Sequence, residues 1–81
     1  MENRLLNRIE INPDVMLGKP VIRGTRITVE LILKKLAQNI PQAEILADYP
    51  KLKREDIQAA IAYAATALST EDIFPLEAVA L

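Results

Sequence analysis

Polar and apolar residues alternate at Arg8-Ile9-Glu10-Ile11, the two-residue period of a half-buried strand, and Asn12-Pro13-Asp14 stops the run with turn chemistry. Gly18-Lys19-Pro20 is a second break. Beyond it, Val21-Ile22-Arg23 and Arg26-Ile27-Thr28 are β-branched runs separated by Gly24-Thr25. A two-residue loop with glycine first predicts a type II′ hairpin, because glycine readily takes the positive φ at that position. Such a hairpin sets Arg23 across from Arg26.

After Thr28 the period changes from two to 3.6. Val29, Ile32, Leu33, Leu36 and Ile40 fall on one helical face. Thr28 is placed to cap that helix, and Glu30 in its first turn suits the helix dipole. The helix is expected over Val29 to about Gln38. Pro41 opens a second helix through Asp48, and Pro50 ends it. A third is expected from near Lys53 to about Leu68, with Ile57, Ala60, Ile61, Ala64 and Leu68 along one side. The predicted fold is therefore mostly α. An N-terminal β-hairpin region (8–28), with a third short strand at Arg8–Ile11, leads into a three-helix bundle (29–68). A C-terminal tail (69–81) completes a single domain of 81 residues.

Composition narrows the function classes. Hydrophobic residues make up 51% of the chain but aromatics only 4%, so the core has to come from Ile, Leu, Val and Ala. A domain this small buries a modest share of its surface, and a homodimer is the expected assembly. There is no cysteine and no histidine. Disulfides and compact zinc sites are thereby excluded, as is the usual neutral-pH proton carrier. We expect no enzyme, no metal and no cofactor. No apolar run reaches the roughly 18 residues of a spanning helix, so the expectation is a cytoplasmic protein without a membrane partner. The net charge of −1 is unevenly spread. Met1–Leu36 holds seven basic and four acidic residues, whereas Ala37–Leu81 holds three and seven. A positive front suits an anionic partner, although opposite halves could equally attract one another.

Three groups of residues are candidates for a role. Arg23 and Arg26, with Lys19 nearby in sequence, could hold a phosphate or carboxylate bidentately. Internal acids such as Asp14 or Glu30 would neutralise them in the blander alternative. The second and third helices have helix-turn-helix spacing, in which the later helix enters the major groove by its N-terminal residues. That end carries Lys51, Lys53, Arg54 and Gln58, the last able to read adenine, but also Glu55 and Asp56, which would repel phosphate. The remaining face, Ala59, Ala62, Tyr63 and Thr66, suits helix or subunit packing better than base reading. Tyr49 and Tyr63 could stack on bases, but a tyrosine at a helix edge is more often a lid on the core. Phe74, Leu76 and Val79, set among Glu71, Asp72 and Glu77, could form a partner-binding tail or fold back on the helices.

Gly18-Lys19-Pro20-Val21-Ile22-Arg23-Gly24-Thr25-Arg26-Ile27, followed by Asp48-Tyr49-Pro50 and Asp56–Ala65, resembles the small bacterial family known as domain of unknown function 433. The resemblance runs from about Arg8 to Leu68. It implies a homeodomain-like helix-turn-helix behind a β-hairpin. It also implies an antitoxin role in a toxin–antitoxin pair, with operator DNA and a PIN-like nuclease toxin as partners. Lys53 departs from the pattern, which more usually has Thr as the helix cap. The alternative is a protein–protein adaptor or dimerisation module without nucleic-acid binding, which expects the Ala59–Ala62–Thr66 face to lie between subunits. A small-anion sensor built on Arg23 and Arg26 is a third reading.

Overall fold

A computed structural model gives the architecture and describes residues 3–69. The elements run α1 (Asn3–Leu6), β1 (Ile9–Glu10), β2 (Val21–Ile22), α2 (Val29–Ala37), α3 (Gln42–Asp48) and α4 (Arg54–Ser69). The fold is mostly helical, with a small antiparallel β unit ahead of the three main helices, as the sequence led us to expect. The tail residues Phe74, Leu76 and Val79 lie outside the described residues.

The β unit is assembled differently in detail. β1 pairs with β2 in the register Ile9↔Ile22 and Glu10↔Val21, so the Arg8–Ile11 alternation supplies a full partner strand. The 26–28 arm adds one bridge, Val21↔Thr28, and the Ile22 N–H donates to the Ile27 carbonyl. Arg23–Arg26 is thus a four-residue loop rather than a two-residue one. Within it the Thr25 N–H donates to the Ile22 carbonyl, which leaves Arg23 and Gly24 as the central pair of the turn. Gly24, at φ 80°, takes the third position, where a type II turn requires glycine. The Thr25 hydroxyl fixes the loop by donating to Ile22 O and accepting from Ile27 N–H.

Thr28 caps α2 by accepting from the Leu31 N–H at 3.0 Å. The other end closes with Asn39 at φ 68°. Its N–H bonds Leu36 O and that of Ile40 bonds Lys35 O, the two reverse bonds of a Schellman motif. Pro41, extended at ψ 146°, then starts α3. Leu52, buried and bonded through its N–H to Tyr49 O, pins the turn between α3 and α4.

α4 is the central element, packing against α1, α2, α3 and β1. The core it shares is Ile9, Ile22, Val29, Ile32, Ile45, Leu52, Ile57, Ala59 and Ala60. Ile57 and Ala60 are buried as expected, but the rest of the face expected for α4 is corrected. Ile61 is 45% exposed and Leu68 62%, while Ala59 and Ala62 are buried. The methyl side chains let neighbouring elements approach α4 closely, and the bulkier Ile61 and Leu68 are turned outward. Ala59 and Ala62 are therefore core residues of their own chain and cannot be the surface of a subunit contact. No helix among the described residues is long and apolar enough to cross a membrane.

Candidate nucleic-acid interface

The start of α4 is organised by Asp56, which is only 4% exposed. One carboxylate oxygen accepts from the Lys53 N–H at 2.9 Å, the returning half of a capping box. The other accepts from Arg8 Nη1, also at 2.9 Å. Lys53 lacks a side-chain oxygen to cap the helix, and Asp56 supplies a cap from within the first turn. The pairing also changes the electrostatics. Arg8 neutralises Asp56, so of the two acids expected to repel phosphate at this end, only Glu55 stands in solvent.

Around this corner Lys51, Lys53, Arg54 and Gln58 are all exposed. Lys51 and Arg26 line one concavity together with Glu10, Val15, Gly24 and Thr25, which joins the tip of the β unit to the α3–α4 turn. Gln58 and Glu55 line a second with Arg4, Leu5, Asn7 and Arg8, so α1 flanks the other side of the helix start.

The remaining candidates are placed elsewhere. Arg23, opposite Arg26 in the register set by Val21↔Thr28, is tied to neighbouring backbone. Its Nε donates to Asn7 O at 2.8 Å and its Nη2 to Ile9 O at 3.1 Å, which fastens it to the β1 edge. Two of the Arg23 nitrogens are thus committed to backbone carbonyls rather than left to share an anion with Arg26. Lys19 is engaged by Glu30 at 3.1 Å on an exposed surface. That ammonium donates a hydrogen bond to the Glu30 carboxylate and holds its pKa below the ordinary value. Tyr49 and Tyr63 are half-buried against the core, and Lys35 Nζ lies 5.9 Å from the Tyr49 ring centroid. Thr66 is half-buried, with its hydroxyl oxygen lacking a hydrogen-bond partner among the described residues.

The organising roles of Arg8 and Asp56 escaped the sequence reading. For Asp56 a signal existed, since an acid three residues after a helix start is the capping-box spacing. Arg8 had none, because its partner lies 48 residues away.

The family model described as "Protein of unknown function (DUF433)" matches residues 9–64, more than half of the chain. The chain belongs to the DUF433 family. A crystal structure of a DUF433 member protein from Anabaena variabilis ATCC 29413 is similar to it, with 41% sequence identity and a TM-score of 0.71. The match covers 79% of this chain and 63% of that one, so this DUF433 chain spans just under two thirds of its relative's length. No curated protein matches the chain.

Proposed function

We propose that this DUF433 protein is a DNA-binding module of antitoxin type, reading DNA through the N-terminal end of α4. The observation that carries the proposal is the cationic corner formed by Arg26, Lys51, Lys53 and Arg54, beside a buried Asp56 whose charge is met by Arg8. Four exposed cations on two adjoining loops and one helix start suit phosphates on either side of a groove. Gln58 and Glu55 stand on the same helix end, and their side chains match adenine and the cytosine amino group respectively. The adaptor alternative loses its main expectation, because Ala59 and Ala62 are inside the monomer.

The test is binding of the purified protein to DNA upstream of its own gene, followed by fluorescence anisotropy over a range of salt. Neutralising about four phosphates gives a log–log slope near −3.6. Lys53→Glu with Arg54→Glu should abolish binding without unfolding the protein. Absence of any salt-dependent binding refutes the DNA reading. The antitoxin half rests on the family resemblance and extends to a nuclease encoded next door. There, Phe74, Leu76 and Val79 with their neighbouring acids would contact the toxin. Replacing all three by Ser should release nuclease activity while leaving DNA affinity unchanged.

A further inference from the structure

We propose that a second copy of this chain docks on the face that carries Leu17 and the groove between α2 and α4, each copy seating its Leu17 in the groove of the other. Leu17 is 94% exposed, the most exposed large hydrophobic residue among the described residues. It stands at the apex of a tight turn in which Met16, Leu17 and Gly18 have φ of 49°, 59° and 82°. Left-handed backbone is disfavoured for any residue with a Cβ, and two such residues in succession are rare. The turn is nevertheless closed by ordered bonds: Gly18 N–H to Val15 O and Lys19 N–H to Met16 O. An apolar side chain is thus held out into water by a conformation that is itself unfavourable.

The matching hole is close by. Pro20, Val29, Leu33, Tyr63 and Ala64 line an almost wholly apolar groove of about 480 Å³, with Glu30 and Lys34 at its rim. Pro20 follows Leu17 by three residues, and Lys19 between them bonds Glu30 on the rim at 3.1 Å. Knob and hole therefore belong to one patch. A patch carrying both is self-complementary under a two-fold axis, the geometry of an isologous dimer. Charge agrees with shape. As Leu17 enters the facing groove, Lys19 of one copy comes to the rim that carries Glu30 of the other, and the four side chains form an alternating ring. The inference uses no observation from the DNA reading, although Val15 at the base of the Leu17 turn also lines the concavity of Arg26 and Lys51.

Sedimentation equilibrium of the full chain, without DNA, tests it. The average mass should rise from one chain to two with concentration. Leu17→Gly suits the left-handed backbone and keeps the fold, but removes two buried leucines per dimer. It should weaken association by about a hundredfold or more. The protein has no cysteine, so mixing a Leu17→Cys chain with an Ala64→Cys chain under oxidising conditions should give the mixed disulfide. A single-chain mass at every concentration overturns the proposal, as does a dimer indifferent to Leu17→Gly. If dimers form only after Phe74 and Leu76 are both replaced by Ser, the chain's own tail fills the groove and the proposal also fails.

Discussion

Asp56 shows how much one side chain can set in so small a protein. It caps α4, ties that helix to the start of β1 through Arg8, and removes a negative charge from the surface where α4 begins. Asp56→Ala would leave the Lys53 N–H and the Arg8 guanidinium without an acceptor. Arg8 retains about a third of its exposure (36%), so water offsets part of that loss. We expect about 2–3 kcal/mol of destabilisation in urea unfolding. Arg8→Met should cost less, because Asp56 keeps its backbone donor. Equal losses would mean that the ion pair, not the cap, holds the helix start. Leu17→Gly should act oppositely on the monomer and raise its stability by about 1 kcal/mol, measured where the protein is a single chain. The Lys19–Glu30 pair makes a smaller contribution. With the Glu30 pKa lowered in the folded state, its contribution is present above the ordinary carboxylate range and is lost as pH falls through the lowered value. Both partners are well exposed, so salt should screen it.

At the scale of elements, the parts with a strong period or a stop signal were legible in the sequence. The 3.6-residue spacing from Val29 and the Thr28 cap place α2, and Pro41 and Pro50 bracket α3. The one-turn helix α1 had no such signal. Its Leu5 gains its place only by packing on a core formed from distant residues. The orientation of α4 was legible only in part, at Ile57 and Ala60, for a related reason. Between Ile57 and Ser69 the helix has no charged residue and six alanines, so periodicity indicates a helix but does not choose its inner face. Contacts with α1, α2, α3 and β1 choose it, and they select the narrow alanine side. This leads to a contrast that size alone would reverse. Ala59→Leu or Ala62→Leu should overpack the core and cost about 1–3 kcal/mol, whereas Ile61→Ala should cost under about 1 kcal/mol. Thermal melts of the three variants decide it. If Ile61→Ala proved the most damaging, α4 would be turned the other way. The β unit was legible as strands and in the register that sets Val21 opposite Thr28, but the pairing of β1 with β2 was not legible. A strand's period reports which face is buried, not which of two neighbours it bonds.

For the molecule as a whole, the uneven charge along the chain becomes an uneven surface, but not the simple front and back that counting suggests. Basic residues of the N-terminal part divide into those fixed internally and those left to meet an anion. Arg8 is tied to Asp56, Arg23 to backbone carbonyls and Lys19 to Glu30. Arg26 instead joins Lys51 across one concavity, near the end of the chain fold where Lys53 and Arg54 begin α4. Chain segments of opposite net charge thus share one cationic corner. That division can be read from salt dependence one residue at a time. Each cation that displaces a condensed counterion contributes about 0.9 to the slope of log affinity against log salt concentration. Replacing Arg26, Lys51, Lys53 or Arg54 singly by Ala should therefore flatten the slope by about that amount, with affinity falling alike for all sequences. Gln58→Ala should leave the slope unchanged and relax preference for particular bases. Lys19→Ala should change neither, because Lys19 already answers Glu30. If Lys19 flattened the slope as much as Arg54, DNA would be lying across the Leu17 face, and that face could not at the same time hold a second copy of the chain.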